Sequence, residues 1–330
     1  MRIDSSAPTR IDLAGGTYDI WPLYLFHDRA QTLNVAISLR AHVALTSRRD
    51  YRVVLCSDDT GEQVEAADPS ALGTDKLPLL ARLVKYFGAR GLEVRTRAES
   101  PVGAGIAGSS ALNIALTAAL AAWTGRTLSD EALLTIAMNV EAQVISVPTG
   151  VQDYRPALYG GVSAVELGVA GVHRVPLSVD PFALERRLVL AYTGASRNSG
   201  INNWDVMVRR INGDAEVTAA FDVIRDSTVS MRESLEQQDW AAVAACMTSE
   251  WQARKRLAPG VTTREIDTLL ERARFSGALA GKVCGAGGGG CLVCIVEPDR
   301  KSEVAATLAA GGAAVLPFKI EHEGLVVRRS

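Results

Sequence analysis

The sequence predicts an α+β protein in two parts: a strand-rich first half that carries two successive helices, and a second half of long helices packed on a small antiparallel sheet. Three observations predict it. Short alternating apolar runs fill most of residues 2–98. Helical periodicity then dominates about 215–274, and the chain ends in a glycine turn, a strand, a helix and a strand. Strands and helices are thus grouped rather than strictly alternating, which disfavours a doubly wound parallel sheet. At 330 residues the chain can hold one large or two medium domains. Proline-marked polar segments between Pro176 and Pro181 place the boundary, giving domains 1–180 and 181–330.

In chain order, strands are expected at Arg2 to Ser6 and Thr9 to Leu13, before a Gly15-Gly16 turn. Leu33 to Leu39, Ala41 to Thr46 and Tyr51 to Cys56 are three more. Leu77 to Phe87 has the spacing of an amphipathic helix, and Leu92 to Ala98 reads as a strand leading to Pro101. A helix from Ser109 to about Trp123 is followed by one from Ser129, an N-cap with Asp130 and Glu131 in the first turn, to about Val144. Pro148-Thr149-Gly150 breaks the pattern, and Gly160-Gly161 opens a strand through Val165. Leu188 to Tyr192 is a compact strand. Helical patterns cover about Ala215 to Ala258 and Thr263 to Arg274, followed by strand Cys291 to Val296, helix Ser302 to Ala310 and strand Ala314 to Ile320.

Composition narrows the function. A net charge of −2 argues against a nucleic-acid surface, which normally carries a basic excess. No run reaches the ~18 apolar residues of a membrane span, and the first residues lack the apolar core of a signal peptide, so a cytoplasmic location is expected. Cys291 and Cys294 form a C-x-x-C, but they sit in an apolar strand-like run with no second pair and no nearby histidine. They read as buried core thiols.

The stretch most suggestive of chemistry is 101–112. Gly103, Gly105 and Gly108 fall within six positions, Ser109 and Ser110 follow at once, and an alanine-rich helix begins there. A glycine loop opening onto a helix aims backbone N–H groups and the positive end of the helix dipole at one point, which suits a phosphate. The spelling G-x-G-x-x-G occurs here and again at Gly285 to Gly290. A dinucleotide fingerprint also needs a second parallel strand after the helix, and here another helix follows instead. No G-x-x-x-x-G-K-S/T is present, so neither loop is a Walker P-loop.

A phosphate site also needs a cation and a group to orient the nucleophile. Ser110 and Glu141 suit Mg²⁺, a hard cation that takes few carboxylates and keeps water. Asp153, just past the Pro148-Thr149-Gly150 break, can point into a cleft. Arg10 is a charge in an apolar strand, unexpected unless paired or facing a site. Beside Asp153 it would keep that carboxylate ionised and offset charge on a transferring phosphoryl group. Asp19 suits either a helix N-cap or an acceptor for sugar hydroxyls.

With these residues in hand, the chain resembles the GHMP small-molecule kinases, the superfamily of galactokinase, homoserine kinase and mevalonate kinase. Three motifs in the family's order carry the likeness: Ala7 to Gly16, Pro101 to Ala111 with Ile106 in place of the usual leucine, and Lys282 to Cys291. The resemblance implies an N-terminal domain like domain 2 of ribosomal protein S5, a ferredoxin-like C-terminal domain, and a site between them. It implies ATP on Pro101, Gly103, Ala104, Gly105, Ile106, Ala107, Gly108, Ser109 and Ser110, with Mg²⁺ on Ser110 and Glu141. Asp153 and Arg10 take the catalytic positions, and Gly15, Gly16, Thr17, Asp19, Gly150, Arg197 and Gly287 the substrate side.

Gly15-Gly16-Thr17-Tyr18-Asp19-Ile20-Trp21-Pro22 and Tyr192-Thr193-Gly194-Ala195-Ser196-Arg197 are similar to the sugar branch that holds D-glycero-D-manno-heptose 7-phosphate kinase and the fucokinase domain. Gly16 stands where galactokinases carry a sugar-binding glutamate, which disfavours galactose. The resemblance therefore implies ATP-dependent phosphorylation of a hydroxyl on a heptose 7-phosphate. A neutral-sugar, fucokinase-like enzyme and a mevalonate-type kinase stay as alternatives. A phosphorylated sugar needs a cation, and Arg155 and Arg197 are the candidates. The partners are ATP and a small sugar or sugar phosphate; a homodimer is left open.

Overall fold

In the computed structural model, which describes residues 1–195, 203–330 and the backbone of 200–202, the first sheet is built on two long strands. β1 (Arg2–Ala14) and β2 (Gln31–Ser47) each merge two strands that the sequence pattern separates. The apparent break in β1 is Pro8, which has no N–H to donate; the strand continues through a register shift at Pro8/Thr9 against β2. There follow β3 (Val53–Ser57), β4 (Gln63–Ala66), α1 (Pro78–Phe87), β5 (Leu92–Ala98), α2 (Gly108–Trp123), α3 (Asp130–Ile145), α4 (Tyr154–Tyr159), β6 (Val162–Gly168) and β7 (Gly171–Pro176). Ser129 caps α3 as expected, its hydroxyl accepting from Ala132 N–H at 3.2 Å.

The second half comprises α5 (Pro181–Glu185), β8 (Leu188–Tyr192), α6 (Gly200–Ile211), α7 (Ala215–Gln237), α8 (Trp240–Lys255), α9 (Arg264–Phe275), β9 (Ala278–Val283), β10 (Cys291–Val296), α10 (Lys301–Ala310), β11 (Ala314–Val315) and β12 (Val326–Arg329). The long helical pattern from 215 to 258 is broken once. Gln238 turns left-handed, and the Asp239 carboxylate accepts from Ala242 N–H to start α8.

The larger sheet runs β12-β1-β2-β5-β3-β4, with the β6–β7 hairpin joined to the first half of β2. The smaller runs β11-β8-β10-β9. The strand expected over Ala314 to Ile320 stops at Val315. Pro317 can donate nothing to β8, so the chain leaves the small sheet, bridges Ile37 at Ile320 and pairs β12 with the start of β1. The C-terminus therefore ends in the first sheet.

α2 is apolar all round and lies across β1 and β2 between α1, α3 and α4, with Ala111, Ile114, Ala115 and Leu116 fully buried. Its alanines allow the close approach to the sheet. A separate cluster, including Ile11, Leu33 and Val35 of the first sheet and Leu190, Met231 and Val293 of the second half, joins the two sheets. Cys291 and Cys294 are buried on β10 and in no disulfide.

Candidate active site

The loop at 101–107 crosses the flank of β1, where Arg10 N–H donates to Ile106 O at 3.0 Å. Ala107, left-handed at φ 63°, turns the chain into α2, and no side chain caps the helix. The first-turn N–H groups of α2 thus have no intrahelical partner, and Gly105, Ala107, Gly108, Ser109 and Ser110 line a cleft of about 500 Å³. Leu77, Leu79, Leu80 and Val102 supply apolar wall to the cleft, and Arg10, Asp19, Glu141 and Asp153 are among its ionisable lining groups.

There the sequence candidates converge. Arg10 is 1% exposed, and its Nε and Nη2 donate to Asp153 Oδ1 at 3.0 and 2.7 Å. Its Nη1 donates to Gly105 O at 2.9 Å, so one guanidinium ties the carboxylate to the loop. Burial disfavours the Arg10 charge, but the Asp153 and Asp12 carboxylates outweigh it and hold the guanidinium charged. Asp153 occupies the position before α4 but caps nothing there, leaving its carboxylate to Arg10 and the cleft.

Glu141, near the end of α3, faces the start of α2. It accepts from both the Ser109 and Ser110 hydroxyls, the latter at 3.0 Å. Burial raises its pKa, and the Asp153 charge adds to this against the opposing hydroxyl bonds. A buried carboxylate and two hydroxyl oxygens beside a second carboxylate form an oxygen-only set short of positive charge. That donor set fits a hard divalent cation.

Asp19 does not cap a helix. It is buried against the backbone of 150–152, where Oδ2 accepts from Gln152 N–H at 2.9 Å. A side chain at position 150 would collide with that carboxylate, so Gly150 is required for the approach. Burial, with the Asp153 charge in support, pushes the Asp19 carboxyl up to about 7. Thr17, Asp19 and Gly150 line the cleft; Gly15 abuts the Gln31–Thr32 backbone and Gly16 the Asp12–Arg254 pair, outside the cleft lining.

Two candidates sit elsewhere. The Gly287 backbone packs against Val261, while Gly285 and Ala286 of the same loop reach the cleft. This loop braces the first one, with Cys291 N–H donating to Ala104 O at 2.7 Å, and it also holds the segment after β8, with Gly290 N–H donating to Ala195 O at 2.9 Å. Arg155 is buried behind the site, donating to the carbonyls of Val151 and Val172 at 2.9 and 3.2 Å, and is no phosphate anchor. Arg197 lies outside the described residues.

Sequence reasoning missed a buried quartet beneath the cleft. Asp12 on β1, Glu250 and Arg254 on α8, and Lys282 on β9 are all 0–1% exposed. Arg254 Nη1 donates to Asp12 Oδ2 at 3.0 Å, and Lys282 Nζ to Glu250 Oε1 at 3.0 Å. Two acids and two bases balance, which is how such charges stay buried. Burial pushes the Asp12 carboxyl up, but Lys282, Arg254 and Arg10 together bring it well below its usual range. The signal that marks Arg10, a charge inside an apolar strand, also marks Asp12 and Lys282. Glu250 and Arg254, spaced i,i+4, look the same as a surface pair.

The fold and the site define a class. The family model "GHMP kinases N terminal domain" matches residues 77–161, and "GHMP kinases C terminal" matches 231–314. The chain belongs to the GHMP kinases, with that family's two-domain mixed α/β fold, and ATP is the phosphate donor of such an enzyme. Among known proteins it is similar to the D-glycero-alpha-D-manno-heptose 7-phosphate kinase of Campylobacter jejuni, 29% identical over 98% of each chain. It is also 29% identical to the mevalonate kinase of Thermococcus onnurineus, covering 71% of this chain and 68% of the relative. The crystal structure of a D-glycero-D-manno-heptose 1-phosphate kinase from Bacteriodes thetaiotaomicron superposes with a TM-score of 0.79 at 24% identity, covering 99% of both chains, and shares the fold.

Proposed function

We propose that the protein transfers the γ-phosphate of ATP to a hydroxyl of a sugar phosphate, with D-glycero-D-manno-heptose 7-phosphate as the first acceptor to test. One observation carries the reading: Arg10 joins Asp153 and the Gly105 carbonyl at the uncapped start of α2, so acceptor-side and phosphate-side groups meet in one cleft. ATP lies with its phosphates along 103–110 and its base toward Leu77 to Leu80. The acceptor enters from the side of Thr17 and Asp19. Similarity to the heptose 7-phosphate kinase along nearly the whole chain favours that acceptor over mevalonate, whose kinase matches only part of it.

Phosphoryl transfer passes through a loose transition state, so positioning and charge neutralisation contribute more than early proton removal. Asp153 orients the attacking hydroxyl and receives its proton late. Arg10 fixes Asp153 and offsets developing charge. Ser110 and Glu141 would hold Mg²⁺, which when bound neutralises charge on the phosphates. Asp19 accepts from a second hydroxyl of the sugar.

The strand order β11-β8-β10-β9, with helices between β8 and β9 and between β10 and β11, supports a ferredoxin-like second domain. The first sheet with α1 to α4 on it supports an S5-domain-2-like first domain, and 1–180 and 181–330 are the corresponding bounds, with β12 returning to the first.

The test is turnover with ATP over a panel of hexoses, heptoses and their phosphates, paired with Asp153→Asn. The variant keeps the shape but loses the charge. A kcat lower by orders of magnitude at nearly unchanged ATP affinity is expected; near-wild-type turnover would overturn Asp153 as the orienting group.

A further inference from the structure

Thr17 is a β-branched residue held at φ +73°, a backbone region such residues avoid. It lines the sugar end of the cleft, and the group that holds it is Arg254. Arg254 Nη2 donates to Thr17 Oγ1 at 3.3 Å and to Gly285 O at 2.6 Å, so one buried nitrogen ties together two loops that both face the cleft. Nη1 is committed to Asp12 Oδ2 and Glu250 Oε1, at 3.0 and 3.4 Å. The guanidinium therefore cannot swing away without leaving two buried carboxylates to share the single charge of Lys282. The backbone of the intervening loop lies directly on this pair: a side chain at Gly16 would come within 2.5 Å of Asp12 Oδ2 and 2.7 Å of Arg254 Nη1.

An arginine N–H can only donate, so Thr17 Oγ1 is the acceptor in this bond. No acceptor among the described residues takes the Thr17 hydroxyl proton, and that proton is left for whatever occupies the cleft. Asp19, two residues on, offers the opposite polarity: when ionised it can only accept.

We propose that Arg254 is a positioning residue that fixes Thr17 as a hydrogen-bond donor to an acceptor oxygen of the phosphorylated substrate, beside an Asp19 that takes a hydrogen bond from it. The inference rests on the kinase reading above and adds the polarity of one contact. It selects for a substrate with an oxygen at that position that can accept. The oxygen belongs either to the sugar or to its phosphate, and the two are separable.

The experiment starts with wild-type turnover on the sugar panel, which stands or falls independently and identifies the acceptor. Thr17→Val then removes the hydroxyl and keeps the β-branched shape, while Thr17→Ser keeps the hydroxyl. Thr17→Val is expected to lower kcat/KM for the acceptor by about 2- to 12-fold for a neutral oxygen and on the order of 10- to 100-fold for a phosphate oxygen, with ATP KM unchanged. Thr17→Ser restores it. Arg254→Lys keeps the charge but loses the fork; it lowers acceptor kcat/KM in the wild-type background and adds little in the Thr17→Val background.

Monodeoxy and deoxyfluoro sugars test the polarity without any Arg254 variant, because fluorine can accept but not donate. A sugar-oxygen contact makes one fluoro analogue outperform its deoxy partner in wild type, and the gap closes in Thr17→Val. A phosphate contact instead makes the Thr17→Val penalty vanish on the unphosphorylated sugar. The proposal is overturned if Thr17→Val leaves acceptor kcat/KM within twofold of wild type. It is equally overturned if the variants raise ATP and acceptor KM alike, as a general loosening of the fold would.

Discussion

Replacing Arg10 by methionine separates the charge of this side chain from its bulk. Methionine fills much of the same buried channel, but Asp153 loses both of its guanidinium bonds and Gly105 O its donor. Removing one partner of a fully buried pair costs about 3–5 kcal/mol. Asp153 is 26% exposed and can take water in exchange, so a stability loss of about 2–3 kcal/mol is expected. For 330 residues that corresponds to a Tm lower by about 3–4 °C, so the variant should fold. The catalytic cost should be larger. Losing a preorganised donor aimed at developing charge costs on the order of 100- to 1000-fold in kcat. Steady-state assays at saturating ATP and sugar, alongside a thermal melt, measure both. Arg10→Lys, which keeps the charge but not the fork, should fall between. If Arg10→Met stays folded and turns over within about threefold of wild type, the ion pair is a structural strut and the charge argument fails.

Glu141→Gln removes a buried negative charge but keeps an oxygen for a serine hydroxyl, so the Tm should hold or rise. The Mg²⁺ concentration giving half-maximal activity should rise at least about tenfold; an unshifted Mg²⁺ titration would remove Glu141 from the cation site. Asp19, raised to about 7 in the folded chain from an ordinary 3.8, keeps its proton while the unfolded chain loses it, so stability falls as pH rises through that window. The window is worth about 4 kcal/mol, and the wild-type minus Asp19→Asn difference in unfolding free energy should decline by that order between pH 4 and 7 and then level off. A flat difference would mean that the carboxyl titrates normally. Gly290→Ala would press a side chain within 2.7 Å of Ala104 O at a left-handed position, φ +83°. ATP KM should rise several-fold while acceptor KM changes little; the reverse pattern would place the second glycine loop on the sugar side.

Much of the site was legible in the sequence because it depends on local chemistry. Gly103 to Ser110 before an apolar helix reads as a candidate anion site by itself, and Arg10 stands out as a charge in an apolar strand. Periodicity also located α1, α2 and α3, since one amphipathic or alanine-rich face is a local property. The short elements α4, β4 and β7 escaped notice because too few residues are present to display a period. β12 escaped because its pairing partner lies more than 300 residues away.

By itself, the sequence determined which residues could do the chemistry: the glycine loop, Ser110, Glu141, Asp153 and Arg10, each conspicuous for its type against its neighbours. The tertiary structure alone decided which partners they have. Arg155, an equally good cation on paper, is spent on two carbonyls behind the cleft. Arg254, which looks like half of a surface pair, is buried under Thr17 and Gly285. The reason is physical. A residue's chemistry is carried by its own atoms, but its burial and hydrogen-bond geometry are set by strands and helices far away in the chain, 242 positions between Asp12 and Arg254.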